Sequence, residues 1–251
     1  MIMPGKTCEL IIHQLLPPVR RACLLVPELT LSILTSSHPL WHIPYEEAIA
    51  KLDRSDPWWA FLWPGSQGLA RYVLDNKSLI RGRCVLDIGC GCGASAIAAK
   101  IAGATNVIAN DIDKGSQLFY SCNIINHCCL FLEDALIATR HNAQLNDVTI
   151  NKFSSYNLIQ NPSLAFQNNK IDLLIIGDMC YDDQLAKQIL HLIIAAHQHH
   201  IHVLLADPGR YSFKSIVMNQ LKDKMKRVCE YPIIDRDYVE SDFETIQIWT
   251  T

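Results

Sequence analysis

Short apolar runs alternate with longer stretches of helical composition along most of this chain. Four runs indicate buried strands: 84–86, 106–109, 171–177 and 201–206. Four stretches favour helices: 94–102, 133–146, 184–198 and 212–226. Fully apolar strands that alternate with helices are typical of a parallel sheet covered on both faces. The pattern therefore predicts an α/β fold.

Weaker patterns complete the predicted sheet and mark its boundaries. Residues 148–150 indicate a further strand, and 228–234 and 243–249 indicate two final antiparallel strands, which makes seven. Residues 67–74 favour a helix ahead of the sheet. Upstream, 27–40 alternates apolar and polar residues, which indicates a strand or an extended arm. We place one domain at 27–251 and treat 1–26 as an N-terminal extension, with a targeting segment as the alternative.

Residues 114–132 interrupt the alternating pattern. This stretch has no clear amphipathic period, and it separates the strand that ends near Asp111 from the helix at 133–146. Loops between strand and helix are usually short, so the stretch is interpreted as an insertion. We hypothesise that it is a retained intron in the gene structure, which sequencing of the transcript tests directly.

The turn after the strand at 84–86 carries the strongest chemical signal. It reads D-I-G-C-G-C-G and leads into an alanine-rich helix, and the following strand ends in an acid. Glycines let a ligand approach the main chain, and a helix N-terminus offers unpaired N–H groups. An acid at the end of the second strand can accept both hydroxyls of a ribose. The unit is Rossmann-like and predicts a ligand that contains a nucleoside.

Two ligand classes compete for this turn, a dinucleotide and S-adenosylmethionine. The dinucleotide fingerprint is G-x-G-x-x-G, and Ala96 stands where its last glycine is expected, counting from Gly91. The acid directly before the turn suits the ammonium group of S-adenosylmethionine, which we favour as the cofactor. The candidate cofactor-binding residues of this unit are Asp87, Gly89, Gly91, Gly93 and Asp111.

An aromatic cluster precedes Pro64-Gly65, and we expect most of its side chains to pack in the core. Trp63 is the exception, because the adjacent turn can bring it over the adenine or the methionine chain of the ligand. Five histidines between 191 and 202 invite a metal interpretation. No cysteine or carboxylate stands at ligand spacing beside them, and histidines suit a helix C-terminus by themselves, so we predict no metal site.

Composition limits the possible partners and the cellular compartment. The 251 residues have a net charge of −3 and a pI near 6.3, which gives no basic footprint for nucleic acid. No apolar run approaches the ~20 residues that cross a bilayer, so no membrane partner is expected. The ten cysteines are scattered through predicted helices and strands, which favours a reducing compartment.

Several motifs together resemble the electron transfer flavoprotein beta-subunit lysine methyltransferases, a family within the seven-strand protein lysine methyltransferases. They are P-W-W-A-F-L-W-P-G-S-Q-G-L-A-R-Y (57–72), D-I-G-C-G-C-G-A-S-A-I-A-A-K (87–100), A-N-D-I-D (109–113), G-D-M-C-Y-D (177–182) and D-P-G-R (207–210). The glycine motif is shared by methyltransferases in general, and the combination of the others is much narrower. The resemblance runs from about residue 27 to the C-terminus, and the family pattern has no equivalent of 114–132.

The resemblance implies a Rossmann-like seven-strand sheet and methyl transfer from S-adenosylmethionine to a lysine of the electron transfer flavoprotein beta subunit. The family's D-x-x-Y signature falls on Asp178 and Tyr181, which are the candidate catalytic residues. Asp178 is expected to position the amine and is a possible proton acceptor. The structural alternative is that Asp178 caps the following helix and Tyr181 packs the loop. The D-P-G-R motif is expected on the side of the protein substrate, with Arg210 as a surface salt-bridge residue in the alternative.

Three further expectations follow from the resemblance. The location is the mitochondrial matrix, with the cytoplasm as the alternative. Another protein, such as a ribosomal protein, or a small molecule is the alternative substrate. The non-enzymatic alternative is a binding scaffold whose site the insertion has disrupted.

Overall fold

The computed structural model describes residues 18–20, 24–44, 46–47, 57–112, 134–166, 170–234 and 242–251. The predicted insertion at 114–132 lies outside these residues, as does most of the predicted N-terminal extension. The described strands are β1 (Pro18–Arg20), β2 (Thr30–Ser32), β3 (Cys84–Ile88), β4 (Asn106–Asn110), β5 (Lys152–Ser154), β6 (Leu173–Gly177), β7 (His202–Asp207), β8 (Lys226–Pro232) and β9 (Thr245–Thr250). The described helices are α1 (Pro64–Asp75), α2 (Lys77–Ile80), α3 (Ala94–Ile101), α4 (Asp134–Leu145), α5 (Pro162–Phe166), α6 (Asp183–Gln198) and α7 (Asn219–Leu221), with a π-helix at Phe213–Met218 and 3-10 turns at Pro39–His42 and Pro57–Ala60.

A seven-stranded mixed sheet forms the centre of the fold, in the order β5-β4-β3-β6-β7-β9-β8. The first five strands of this order are parallel, whereas β9 runs antiparallel to β7 and to β8. This confirms the predicted Rossmann-like fold with its antiparallel end. The chain order reverses between β3 and β6, and open parallel sheets bind ligands beyond the strand ends at such a switch point.

Two hydrophobic cores cover the two faces of the sheet. One core joins the sheet to α1, α3, α4 and the segment around β2, and the other joins it to α5, α6 and the π-helix. β6 is buried at every position, as its unbroken apolar sequence predicted. Helices on both faces leave the strand ends as the accessible edge of the sheet. No helix among the described residues is long and apolar enough to cross a membrane.

Two asparagines, Asn142 on α4 and Asn146 directly after its end, attach β2 to the domain. Asn146 accepts the N–H of Thr30 at 2.9 Å and donates to its carbonyl at 2.6 Å, and Asn142 accepts the N–H of Ser32 at 2.7 Å. The two asparagines are four residues apart, so their amides bind alternate residues of the strand. The predicted arm at 27–40 is therefore a short strand within an extended segment.

Two predicted elements have different bounds in the structure. The strand predicted at 148–150 is found at Lys152–Ser154, because the N–H of Val148 bonds to Ala143 O at the end of α4 and Ile150 is buried as a loop residue. The helix predicted at 212–226 ends at Leu221, and the chain turns so that Lys226 begins β8. In both places, apolar side chains on irregular backbone fill the core. Their hydrophobic pattern is the same as that of a helix or strand, so the sequence does not distinguish the two cases.

Candidate active site

The glycine turn, residues 89–93, connects β3 to α3 at the switch point of the sheet. Gly89, Gly91 and Gly93 have φ values of +67°, +50° and +86°. Side chains rarely adopt this region, so the turn requires glycine at each of these positions. A Cβ at Gly93 would lie 2.7 Å from Thr139 Cγ2, and one at Gly89 would overlap the sulfur of Met179. The turn is thus closely covered by two side chains that the sequence interpretation had not singled out.

Helix α4 holds the backbone of the glycine turn. The hydroxyl of Thr139 donates to Gly91 O at 2.9 Å, and the amide of Asn142 donates to Cys92 O at 2.8 Å. Both side chains are fully buried. Asn142 also accepts the N–H of Ser32 in β2, so the same side chain connects β2 to the glycine turn. Sequence reasoning missed both residues, whose only signal was a polar pair three residues apart on an inward helix face.

Asp87 is the penultimate residue of β3, two residues before the glycine turn, and is buried, with 1% of its surface exposed. Its Oδ2 has no hydrogen-bond partner within the part of the chain that the structure describes. Burial, and secondly the charge of Asp111, raise the pKa of Asp87 well above its ordinary value. A buried carboxylate oxygen without a partner favours a cationic group beside it. Asp87 therefore fits the ammonium end of S-adenosylmethionine.

Asp111 follows the end of β4 and lies beside the glycine turn. Its Oδ2 accepts the backbone N–H of Gly91 at 2.9 Å. The structure therefore brings these predicted residues together, with Asp87 near the end of β3, Asp111 directly after the adjacent parallel strand β4, and the glycine turn beside them. A carboxylate at this position can accept the hydroxyls of a ribose, as the sequence interpretation expects.

Trp63 immediately precedes α1 and packs in an aromatic group. Its ring centroid lies 5.6 Å from that of Trp58 and 5.4 Å from that of Phe61, and its Nε1 donates to Trp58 O at 2.9 Å. The side chain is half-buried. Trp63 stands two residues before Gly65, whose N–H donates to Asp178 directly after β6. Trp63 is therefore near the edge of the sheet at which the parallel strands end. Its contact with a ligand stays a prediction.

Asp178 follows β6 and lies at the point where three elements meet. Its Oδ2 accepts the N–H of Gly65 in the first turn of α1 at 3.0 Å, and its Oδ1 accepts from Arg210 Nε at 2.5 Å. Asp178 has a φ of +60°, and 5% of its surface is exposed. A Cβ at Gly65 would lie 2.5 Å from Asp178 N and 2.7 Å from Ala206 O, so the start of α1 packs directly on the strand ends.

The structural alternative for Asp178 is wrong, because a different acid caps α6. Asp182 is the N-cap residue, and its side chain accepts the N–H of Leu185 at 2.8 Å. Tyr181 is 61% exposed, at the rim of the same loop. The backbone strain and burial at Asp178 are typical of functional positions, where local conformation is imposed by the surrounding structure.

Asp207 and Arg210 form the turn that follows β7. One carboxylate oxygen of Asp207 accepts the N–H groups of Gly209 and Arg210, both at 2.7 Å. The turn directs the guanidinium of Arg210 to Asp178. Burial, and secondly the charge of Asp178, raise the pKa of Asp207 to about 7. Nothing in the sequence pattern indicated that Arg210 pairs with a candidate catalytic residue rather than with a surface acid.

The raised pKa of Asp207 predicts a pH-dependent loss of stability that Asp207→Asn removes. The carboxyl of Asp207 has a pKa of about 7 in the folded state and near 4 in the unfolded state, so the folded protein binds this proton more tightly. The resulting contribution to the free energy of unfolding is complete below about pH 4 and is lost as the pH rises through about 7. The free energy of unfolding of the wild type, relative to the variant, should fall by roughly 2 kcal/mol between pH 5 and pH 8. Urea unfolding of both proteins at the two pH values measures this, and an unchanged difference would contradict the assignment.

No group of three histidine, cysteine or acidic residues in the described ranges is arranged to hold a metal ion. The predicted histidine cluster lies at the end of α6 and the start of β7. There, the imidazole of His202 bonds with the hydroxyl of Thr250 at 2.9 Å, and the ring of His199 packs 5.5 Å from that of Phe166.

Comparisons with known proteins agree on one kind of enzyme. Residues 69–126 match the family model of ribosomal protein L11 methyltransferase. The chain is 36% identical to the electron transfer flavoprotein beta subunit lysine methyltransferase of Homo sapiens over 227 residues, which cover 90% of this chain and 75% of that protein. It is 38% identical to the protein of the same name from Xenopus laevis over 192 residues, covering 76% and 67% of the two chains.

Solved structures share the fold at low sequence identity. A structure assigned as an RNA methyltransferase from Pyrococcus horikoshii aligns with a TM-score of 0.50 at 15% identity, covering 76% of this chain and 86% of that one. A second structure, assigned as a methyltransferase in complex with SAH, aligns with a TM-score of 0.51 at 11% identity, covering 75% and 50%. These similarities concern the arrangement of the sheet and its helices.

Proposed function

The chain belongs to the electron transfer flavoprotein beta subunit lysine methyltransferase family, and from this premise we propose that it transfers a methyl group from S-adenosylmethionine to a lysine of that subunit. The observation that carries the proposal is the position of Asp178. This acid lies buried at a strand end, beside the glycine turn, where a cofactor and a substrate amine can meet. The relatives' names supply the substrate.

The residues around the glycine turn can hold S-adenosylmethionine. Asp87 would receive its ammonium and Asp111 its ribose hydroxyls, while the three glycines leave room for the methionine chain. When bound, the cofactor supplies a methyl group on a sulfonium, which is already electrophilic. The work left to the protein is to bring the amine close, in line and without its proton.

Asp178 performs the last part of this work. A free lysine is mostly protonated at neutral pH, so its ammonium is attracted to the buried carboxylate and must give up a proton before the nitrogen can react. The N–H of Gly65 fixes the orientation of the carboxylate. Tyr181, at the exposed rim of the same loop, is placed to contact the substrate chain as the lysine enters.

Labelling with tritiated S-adenosylmethionine tests the proposal. The purified protein is incubated with recombinant electron transfer flavoprotein beta subunit and, separately, with a mitochondrial extract, and the labelled band is analysed by mass spectrometry. We expect label on lysine of the beta subunit in both samples. Label confined to another band would reject the proposed substrate and retain the methyltransferase.

The match to ribosomal protein L11 methyltransferase over residues 69–126 favours a ribosomal protein as the second candidate substrate. That stretch contains the C-terminal part of α1, the glycine turn and β4, which belong to the proposed cofactor side of the site. It does not reach Asp178 or Arg210. We therefore place ribosomal protein L11 second and include it as a parallel substrate in the labelling assay.

We also propose the mitochondrial matrix as the location. The support is the resemblance of the motifs at 57–72, 177–182 and 207–210 to enzymes that act on the flavoprotein beta subunit. Fractionation of cells that express the full chain with a C-terminal tag tests this, with the cytoplasmic fraction as the alternative outcome.

A further inference from the structure

The two oxygens of the Asp178 carboxylate have partners of different kinds. Oδ2 accepts from a backbone N–H, that of Gly65, which is fixed by the first turn of α1. Oδ1 accepts from the side chain of Arg210, which is long, 20% exposed and attached to a turn. The first partner cannot leave without unfolding the start of the helix, whereas the second can leave by rotation of its side chain. Any cation that approaches Asp178 therefore competes with Arg210.

A second carboxylate lies beside this ion pair. Asp207 ends β7, the strand next to β6, and the N–H of Asp178 donates to the carbonyl of Ala206 at 2.9 Å. Oδ1 of Asp207 holds the turn at Gly209 and Arg210, while its Oδ2 is buried without a hydrogen-bond partner among the described residues. Among the described residues, the guanidinium of Arg210 therefore bonds to Asp178, and the neighbouring Asp207 keeps one unsatisfied oxygen.

The unsatisfied oxygen gives Arg210 a second position to occupy. Its backbone N–H is bonded to the Asp207 side chain, while its guanidinium bonds to Asp178 and acts on Asp207 only through its charge. The ring of Phe243 lies 5.4 Å from Arg210 Cζ and supports the cation from another side. The raised pKa of Asp207, caused by burial and then by Asp178, agrees with a carboxyl that lacks a counter-cation.

We propose that Arg210 occupies the substrate's cation position in the free protein, and that the substrate ammonium replaces it at Asp178 while the guanidinium moves to Asp207. The inference rests on the proposed methylation of a lysine and adds how that lysine is recognised. Asp178 is never left buried without a cation, which would be strongly unfavourable. Only a positively charged side chain can complete the exchange, so neutral side chains are rejected at the binding step.

Two substitutions should affect cation binding in opposite directions. Arg210→Gln removes the competing cation, and we expect the affinity of Asp178 for an alkylammonium to rise about fivefold. Asp207→Asn keeps an oxygen that can accept the N–H groups of the turn but removes the second position of the guanidinium, so affinity should fall about fivefold. Arg227→Gln, which removes an exposed pair with Glu230 on β8, is the matched control and should leave affinity unchanged.

The probe is n-butylammonium, titrated into the SAH-loaded, 15N-labelled full chain. The backbone amide of Gly65 reports binding, because its N–H is bonded to Asp178. Arg210→Lys retains a cation and should bind the probe within about twofold of wild type. Shifts in the same direction for Arg210→Gln and Asp207→Asn, or no shift in either, would overturn the exchange, because a purely structural role predicts weakening in both.

This readout needs no methyl transfer, so it is separate from the test of the proposed function. If the labelling assay fails while the two variants shift butylammonium affinity in opposite directions, the cation site stands and the assigned protein substrate is wrong. If the probe does not perturb Gly65 in the wild type, the cation exchange is wrong whatever the labelling assay gives.

Discussion

Asp178→Asn lowers kcat for methylation of the flavoprotein beta subunit by about a hundredfold or more, which is the effect of losing a positioned proton acceptor. The substitution preserves shape, because an amide oxygen can still accept the N–H of Gly65. It removes the negative charge that, in the proposed mechanism, attracts the lysine ammonium and takes its proton. The affinity for S-adenosylmethionine should stay within about twofold of wild type, since the described hydrogen bonds of the Asp178 carboxylate go to Gly65 and Arg210, both outside the glycine turn.

Asp182→Asn is the matched control, because the same chemical change is made four residues further on. Asparagine caps helices about as well as aspartate, so α6 keeps its N-terminal bond to Leu185. Steady-state kinetics with labelled cofactor and calorimetry of cofactor binding are measured for both variants. Activity of Asp178→Asn within about threefold of its control would remove Asp178 from the mechanism.

The local signals in the sequence were sufficient to predict the fold. Apolar runs at 84–86, 171–177 and 201–206 are buried strands in the sheet, and the glycine turn is at its switch point. These predictions succeed because a buried strand, or a turn that requires glycines with positive φ, can be recognised from a few neighbouring residues of the sequence. Val148 and Ile150 were misplaced for the converse reason, since an apolar loop that fills a core has the same local pattern as a strand.

The contacts that shape the candidate site could not be predicted in the same way. Arg210 and Asp178 are 32 residues apart, and Asn142 reaches the carbonyl of Cys92 from 50 residues away. Such pairs depend on how strands and helices are ordered in space. The sequence of α4 shows that polar residues such as Thr139 lie on its buried face, but neighbouring residues do not indicate which group each of them binds. Sequence therefore located the strand ends, and the structure was needed to show what each acid binds.

The aromatic cluster lies between these two cases. The sequence predicted that most of these rings pack in the core. Trp58, Phe61 and Trp63 instead pack against one another at centroid distances between 5.4 and 5.8 Å, with Trp58 exposed and the other two half-buried. Their position before α1 also follows from Pro64, which begins the helix at a position where proline is favourable. The hydrogen bond from the N–H of Gly65 to Asp178 could not be predicted from the sequence pattern. This bond connects the aromatic segment to the candidate catalytic acid.

Gly93→Ala should reduce the affinity for S-adenosylmethionine by more than about tenfold. Two costs combine in this variant: a side chain at φ +86° costs about 1–2 kcal/mol, and its Cβ would lie 2.7 Å from Thr139 Cγ2 and 3.0 Å from Thr139 Cα. Since Thr139 also donates to Gly91 O, relief of the overlap would shift the backbone of the proposed cofactor site. Calorimetry of cofactor binding measures the loss.

Gly82→Ala separates the two costs of Gly93→Ala, because Gly82 has a similar φ of +78° and a Cβ there would meet nothing within 4 Å. It lies before β3, at the opposite end of that strand from the glycine turn. We expect Gly82→Ala to lower the free energy of unfolding by about 1 kcal/mol and to leave cofactor affinity unchanged. Equal cofactor affinity in the two variants would show that the fit between Thr139 and the glycine turn does not control cofactor binding. A selective loss in Gly93→Ala identifies the packing of α4 on the turn as the structural basis of the cofactor site.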